Sequence, residues 1–140
     1  AVEDRHGIVI KANNTKAAPI SEISTQTVAF SHYNNISAQL PLDPKIGAIV
    51  THGAKEQAMQ CLNNIKEVIE SVGHVMDDIV KLNIQLIYMA DLDVLNDVRT
   101  HYFEGPLPAR TVIGVSDIPM GALVQIDAIA SNGEGTPPSL

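Results

Sequence analysis

A long amphipathic segment followed closely by an alternating one constrains the fold of this chain more than any other feature. From about Ala54 to Val72, apolar residues recur at intervals of three and four, which is typical of a helix with one buried side. Thr51 is placed to cap this helix and Gly73 to end it. From Ile79 to Met89, apolar and polar residues alternate, which indicates a strand. A helix with one apolar side needs a sheet to cover, so the two segments predict packed layers of helix and sheet.

The predicted strand has two unlike faces. Its apolar face is predicted to receive the helix and is formed by Val80, Leu82, Ile84, Leu86 and Tyr88. The opposite face begins polar at Lys81 and ends apolar at Met89. Because a face open to water is mainly polar, this mixed face indicates contact with another subunit, and we expect an oligomer.

The remaining elements extend the same pattern. A second helix is predicted from about Leu92 to Phe103, with Asp91 as its cap. Five further strands are predicted, at residues 7–11, 25–30, 34–40, 110–115 and 122–130. The last two are predicted to form a hairpin closed by residues 116–121. The order β-β-β-α-β-α-β-β predicts a sheet with both helices on one face.

Size and composition limit the classes of function. The chain has 140 residues, the size of one domain, so residues 1–140 are interpreted as a single unit with a flexible tail at 131–140. Its net charge is −7 with 9 Lys and Arg residues in total, which argues against tight binding to nucleic acid. No stretch is long and apolar enough to span a membrane, and the N-terminus lacks the apolar core of a signal peptide. We therefore expect a soluble, cytoplasmic protein.

Arg110 is the main candidate for chemistry. In the predicted hairpin it falls opposite Gln125 or Asp127 and shares their face. The donors of a guanidinium match a carboxylate in a bidentate arrangement, so Arg110 could hold a small carboxylate-bearing ligand. From spacing alone, the simpler alternative is an ion pair between Arg110 and Asp127, since surface ion pairs are common.

Other polar residues give weaker signals. Ser37 and Gln39 lie near the end of a predicted strand, where a binding role and an ordinary half-exposed position both fit the sequence. The 5 histidines show no spacing typical of metal ligands, and Cys61 falls on the apolar side of the first helix. We expect no metal site and no cofactor, and we interpret Cys61 as a core residue.

Six short motifs occur in order between Ser37 and Ala130. They are ISAQLPLDP at 36–44, QCLNNIK at 60–66, DIVK at 78–81, MADL at 89–92, PART at 108–111 and QIDAIA at 125–130. Together they resemble the motifs of the Rid (YjgF) family, the reactive intermediate deaminases. No single motif is decisive, but six in register identify the chain as similar to this family.

The resemblance implies a fold, an assembly and an activity. The family fold resembles that of chorismate mutase, an α+β fold in which two helices cover one side of a mixed sheet. Its members form homotrimers whose sheets line a central barrel, with clefts between neighbouring subunits. Active members hydrolyse enamines and imines, such as 2-aminoacrylate, to 2-keto acids and ammonia.

The resemblance also assigns roles to residues of this chain. Arg110 matches the carboxylate clamp of the family, and the strand that holds Ser37 and Gln39 lines the same cleft. The expected catalytic residues are Arg110 and Gln125, and the expected substrate-binding residues are Arg110, Ser37, Ala38, Gln39, Thr111 and Tyr102.

Three positions depart from the family pattern. Gln125 stands where well-studied members carry a Glu that positions or activates water, and an amide does not act as a base at neutral pH. Ser24 stands in place of a Tyr, and Arg99 in place of an Asn. Asp127 offers an alternative carboxylate, unless it pairs with Arg110.

Three functions are therefore compatible with the sequence. The first is an imine or enamine deaminase. The second is a non-catalytic trimer that binds 2-keto acids or other small carboxylates, which the presence of Gln125 favours. The third is a ribonuclease, an activity ascribed to some relatives, against which the net charge of −7 argues.

Overall fold

The computed structural model describes residues 2–5, 8–30 and 33–131, with side chains for residues 10–30 and 33–131. The strands within these ranges are β1 (Val2–Arg5), β2 (Ile8–Asn13), β3 (Thr27–Phe30), β4 (Tyr33–Gln39), β5 (Leu42–Asp43), β6 (Ala48–Ile49), β7 (Ile79–Leu86), β8 (Ala109–Gly114) and β9 (Val124–Ser131). The α-helices are α1 (Ala54–Glu70), between β6 and β7, and α2 (Leu92–Arg99), between β7 and β8.

Seven of these strands form one mixed sheet in the order β1-β2-β3-β4-β9-β7-β8. Neighbouring strands are antiparallel except for β7 and β8, which are parallel. Both helices cover one face of the sheet, since Ile65 of α1 and Leu95 of α2 share a single core with Leu82 and Ile126. The predicted α+β class, a mixed sheet with two helices on one face, is confirmed.

The predicted C-terminal hairpin is wrong. β8 pairs in parallel with β7, with Leu82 opposite Arg110, and makes no pairing with β9. β9 instead lies between β4 and β7, with Ala128 opposite Leu82. The reason is α2, because a strand–helix–strand unit places its two strands in parallel. β8 thereby takes one edge of β7 and leaves β9 the other.

A bulge changes the predicted faces of β7. The register of β7 against β9 shifts between Ile79 and Lys81, so Ile79 is 4% exposed while Val80 is 41% exposed. Leu82, Ile84 and Leu86 form the apolar face as predicted. The strand ends at Leu86, before Tyr88, which is exposed. Alternation alone does not reveal a bulge, because one extra residue inverts the pattern locally.

The predicted helix boundaries are close to the observed ones. Gly53, rather than Thr51, occupies the N-cap position of α1, and its φ of 97° lies in the left-handed region that favours glycine. α2 ends at Arg99, earlier than predicted, and Asp91 holds its N-cap position without a side-chain cap hydrogen bond. Of the predicted tail, residues 132–140 lie outside the described residues. Among the residues that are described, no helix has the length and apolar character needed to cross a bilayer.

Candidate functional site

A pocket of about 280 Å³ opens between β4, the start of β9 and the chain segment that precedes β3. Its walls come from residues 19–26, residues 37–42, Pro119 and Gln125. Four of the predicted site residues line it together, namely Ser37, Ala38, Gln39 and Gln125. Ser24, which stands where the family pattern has Tyr, lines the same pocket.

The side chain of Gln26 holds one wall of this pocket in place. Its Oε1 accepts a hydrogen bond from the backbone N–H of Thr15 at 2.7 Å. Its Nε2 donates to the carbonyl oxygens of Thr15, Ala18 and Pro19 at 3.0, 3.1 and 2.8 Å. Gln26 is only 3% exposed, so little water competes for these bonds. The loop before β3 is therefore fixed by one buried amide.

A bulge in β4 turns residues toward the pocket. The register of β4 against β9 shifts between Ile36 and Gln39, and such shifts re-aim side chains. The Ser37 N–H donates to the carbonyl oxygen of Gln26 at 2.8 Å, and the Ser37 hydroxyl donates to that of Thr25 at 2.5 Å. Because its proton is engaged, the Ser37 hydroxyl faces a ligand as an acceptor.

Asn64 of α1 supports the far wall of the pocket. It is 1% exposed, and its Nδ2 donates to the carbonyl oxygens of Leu40 and Leu42 at 3.2 and 2.9 Å. Gln60 donates to Asn64 Oδ1 at 2.9 Å. Asn64, the second asparagine of the QCLNNIK motif, thus fixes the chain where it leaves β4.

Gln125 lies half-buried on the face of the sheet that the helices leave open. It is paired in register with Gln85 of β7, whose Oε1 is shielded from solvent and has no hydrogen-bond partner among the described residues. An amide donates and accepts hydrogen bonds but does not take up a proton at neutral pH. Gln125 is therefore able to orient a water molecule, not to deprotonate one.

Arg110 lies outside this pocket, on the helix-covered face of the sheet. One of its terminal nitrogens donates a hydrogen bond to Asn96 Oδ1 on α2. The pKa of Arg110 is lowered by burial and by the nearby positive charge of Arg99. Among residues 10–30 and 33–131, no carboxylate forms an ion pair with Arg110. Its guanidinium is thus available to an external anion.

The ion pair considered from the sequence is absent because Arg110 and Asp127 lie on opposite faces of the sheet. Asp127 Oδ1 instead accepts a hydrogen bond from Asn83 Nδ2 at 2.8 Å. Thr111 also faces away from Arg110, and its hydroxyl accepts a hydrogen bond from Lys81 Nζ at 2.7 Å. The prediction that Arg110 shares a face with Gln125 or Asp127 is wrong, since it depended on the hairpin.

One chain does not bring Arg110 to the pocket. The row Gln125–Gln85–Ile113 and the row Ala128–Leu82–Arg110 each cross β9, β7 and β8. Two strand spacings and three residues along a strand separate the Cα atoms of Gln125 and Arg110 by roughly 14 Å. Four predicted site residues thus form what we call the pocket group (Ser37, Ala38, Gln39 and Gln125). The predicted residue Arg110 lies instead with Asn96 and Arg99, and these three form what we call the arginine group. Thr111 belongs to neither group.

Tyr102, also predicted to bind substrate, lies between the two helices. Its hydroxyl donates to the carbonyl oxygen of Met59 at 3.2 Å or to Asn63 Oδ1 at 2.8 Å, so it joins the end of α2 to α1. Burial and the charge of Glu56 raise the pKa of Tyr102. It belongs to neither the pocket group nor the arginine group.

Sequence reasoning missed Asn96, Gln26 and Asn64. Asn96 was one polar residue among several in an amphipathic helix, and only the parallel pairing of β7 with β8 brings it to Arg110. Gln26 and Asn64 have polar side chains that the fold buries. No sequence signal set them apart, because Gln26 stands between Thr25 and Thr27 and Asn64 follows Asn63, so each is one polar residue among others.

The chain is similar to a known family of proteins over most of its length. Residues 15–132 match the family model described as endoribonuclease L-PSP. The chain is 36% identical over 121 residues to the mouse 2-iminobutanoate/2-iminopropanoate deaminase, covering 86% of this chain and 90% of that protein. The crystal structure of RidA from the Antarctic bacterium Psychrobacter sp. PAMC 21119 superposes with a TM-score of 0.83 at 34% identity, covering 86% and 98% of the two chains.

The structure of Escherichia coli TdcF with bound serine is similar as well, with a TM-score of 0.83 at 26% identity, covering 88% of this chain and 99% of that one. The match to the family model spans the pocket group and the arginine group alike. With a family model over most of its length and relatives above 30% identity, the chain belongs to the endoribonuclease L-PSP family, the family of the Rid, YjgF and RutC proteins.

Proposed function

We propose that this chain is a hydrolytic deaminase of reactive 2-imino and enamine acids of the 2-aminoacrylate type, releasing 2-keto acids and ammonia. The observation that carries the proposal is Arg110, a partly buried guanidinium held by Asn96 and paired with no carboxylate among the described residues. Such a group binds a carboxylate through two parallel hydrogen bonds. The name of the mouse relative supports this class of substrate.

We propose further that the site is assembled between copies of the chain in a homotrimer, with the arginine group of one subunit facing the pocket group of the next. Two features support this. β8 is an edge strand of the described sheet, so one row of its backbone hydrogen-bonding groups has no strand partner among the described residues. The face opposite the helices carries residues that are only partly exposed, including Gln85 with its unpartnered oxygen.

Hydrolysis of an imine requires the protein mainly to position the substrate and a water molecule. Water adds to the carbon of a protonated imine, a proton moves to the nitrogen, and the C–N bond breaks to leave a keto group and ammonia. Arg110 would fix the carboxylate while Gln125 and the acceptor oxygen of Ser37 would orient the water. Holding both reactants converts a bimolecular hydrolysis into an effectively unimolecular one.

A coupled assay tests the deaminase. An amino-acid oxidase generates 2-iminobutanoate, and its decay is followed with wild type, Arg110→Ala and Arg110→Lys. We expect the wild type to accelerate decay, and Arg110→Ala to lose about 100-fold or more in kcat/KM, since about 3 kcal/mol of charged hydrogen bonding is lost. Arg110→Lys should recover part of the loss, because lysine keeps the charge but lacks the planar fork.

Lys45→Ala serves as the matched control, because Lys45 is exposed in the turn between β5 and β6. Its rate should equal that of the wild type. An Arg110→Ala variant as active as the wild type would contradict the assigned clamp.

A non-catalytic binder of 2-keto acids is the second candidate, and Gln125 is the observation that favours it. In that case the wild type would leave the decay of the imine unchanged. 2-Ketobutyrate would still raise the Tm of the wild type and not that of Arg110→Ala.

A further inference from the structure

Two arginines lie near each other at the end of α2, because Arg99 is one turn from Asn96 on that helix and Asn96 accepts the hydrogen bond from Arg110. Arg99 is the last residue of α2 and Arg110 is the second residue of β8. They are close enough for the charge of Arg99 to lower the pKa of Arg110. Two like charges near each other repel, and an anion that lies between or beside them offsets that repulsion. Among the residues with described side chains, neither arginine has an ion-pair partner.

The hydrogen-bond donors of this pair are largely unused. Each guanidinium carries five N–H groups in a fixed fork. Within residues 10–30 and 33–131, Asn96 Oδ1 is the one acceptor bound to either arginine. The Nε of Arg99 is also shielded from solvent without a partner, and a shielded donor without an acceptor is unfavourable. The arginine group therefore lacks acceptor atoms that a ligand with several oxygens would supply.

An ordinary structural role does not account for Arg99. A cation in the last turn of a helix interacts favourably with the helix dipole, but that effect needs neither a second arginine nor a shielded Nε. The side chain of Arg99 makes no hydrogen bond to a described carbonyl oxygen of α2, and Asp93 and Asp97 on the same helix form no ion pair with it.

We propose that Arg99 binds a second carboxylate, so that the site takes short dicarboxylic 2-imino or 2-keto acids in preference to monocarboxylic ones. The inference rests on the proposed function in one respect, that Arg110 binds the carboxylate next to the reacting carbon. A diacid neutralises both guanidinium charges and supplies four acceptor oxygens. A monoacid gripped by both arginines would leave one positive charge without a counterion.

Calorimetric titration tests the preference without relying on turnover. 2-Oxoglutarate and 2-ketobutyrate are titrated into wild type, Arg99→Met and Lys45→Met. We expect the wild type to bind the diacid about 10- to 100-fold more tightly, the effect of one added charged hydrogen-bonded pair. Arg99→Met should lose that advantage while its Kd for 2-ketobutyrate stays within about threefold. Lys45→Met, which removes an exposed lysine, should match the wild type.

Four results would overturn the inference. Equal losses of mono- and diacid binding in Arg99→Met would mean that both arginines grip one carboxylate. No preference in the wild type, or binding of neither acid, would mean that Arg99 has another role. Dissociation of the oligomer by Arg99→Met, without a change in diacid preference, would assign Arg99 to a contact with a carboxylate of a second copy.

The outcome is separate from that of the deaminase proposal. Parallel assays with 2-iminoglutarate and 2-iminobutanoate show whether turnover follows the binding preference. Tight binding of 2-oxoglutarate without acceleration of either imine would refute the deaminase and leave the role of Arg99 intact. Acceleration of both imines, unaffected by Arg99→Met, would support the deaminase and refute the role of Arg99.

Discussion

Asn96 accepts a hydrogen bond from Arg110 through its side-chain oxygen, so the Arg110 guanidinium is oriented by a neutral group rather than by a carboxylate. A neutral partner positions the guanidinium without cancelling its charge. Replacing it by a carboxylate should therefore create an internal competitor for the substrate. We predict that Asn96→Asp raises KM about tenfold or more, the effect of about 1.4 kcal/mol of competing ion pairing. Asn96→Ala should raise KM less, and an unchanged KM in Asn96→Asp would show that Arg110 does not meet the substrate.

The separation of the pocket group from the arginine group predicts complementation between inactive chains. Arg110→Ala removes the clamp, and Ala38→Trp fills the pocket from an exposed position. Each variant alone should be inactive. When the two are unfolded and refolded together as trimers, roughly a quarter of the interfaces combine an intact arginine group with an intact pocket group. Activity should return to about that fraction, and its continued absence would place the whole site within one chain.

Gln125 predicts a gain of function. In Gln125→Glu the side chain keeps its length and place in the pocket but becomes able to take a proton from water. We predict an increase in kcat of about 100-fold, the low end of general base catalysis. The rate should fall as the pH drops through the pKa of the new carboxyl group, because only the ionised form is a base. Gln125→Leu is the control and should be slower than the wild type.

Two adjacent asparagines of α1 predict unequal effects on stability. Asn64 is buried and bonds two carbonyl oxygens, whereas Asn63 is exposed and accepts one hydrogen bond from Tyr102. Asn64→Ala removes the hydrogen bonds to the Leu40 and Leu42 carbonyl oxygens and the one from Gln60, so we expect a loss of about 2–3 kcal/mol in the free energy of unfolding. Asn63→Ala should lose about 0.5–1 kcal/mol. Urea denaturation measures both, and equal losses would contradict the bonds assigned to Asn64.

Cys61 predicts a dependence of stability on pH. Burial raises the pKa of its thiol well above the usual value, and the side chain has no exposed surface. The unfolded thiol ionises above about pH 8.5 while the folded thiol stays protonated, so stability is retained below that pH and lost above it. By pH 10 the loss should reach about 2 kcal/mol. Cys61→Ala should lack this part of the alkaline loss in urea denaturation, and identical losses in both proteins would contradict it.

The layers of this fold could be predicted from sequence, whereas the strand order could not. Periodicity located α1 and β7 well, because each has one side facing the core over several turns or residues. β5 and β6 have two residues each, too short for a period to show. The hairpin was predicted because β8 and β9 are joined by a short turn-rich segment. The residues of a turn do not show which strands pair over a longer range, and here β9 pairs with β7 rather than with β8.

Some residues of the candidate site could be predicted from the sequence, whereas their partners could not. Arg110 could be singled out because an arginine that opens an apolar strand is unusual, and family motifs singled out the pocket group. The partners of Arg110 could not be inferred, because Asn96 reaches it from a different element through the parallel register of β7 and β8. The direction of the Ser37 side chain likewise depends on a bulge in β4, and no residue type in that segment predicts a bulge.

The place of β9 in the sheet has a consequence for how the protein is made. It is the last strand of the described chain, yet it lies between β4 and β7 and pairs with both. During translation the other strands of the sheet are therefore synthesised before β9, the strand that pairs with both β4 and β7. Until residues 124–131 leave the exit tunnel, the strands β4 and β7 each keep an open edge, which is the kind of edge that recruits chaperones or other nascent chains. Pairing across the centre of the sheet therefore waits for residues 124–131, and a chain cut short before residue 124 would lack the one described strand that pairs with both β4 and β7.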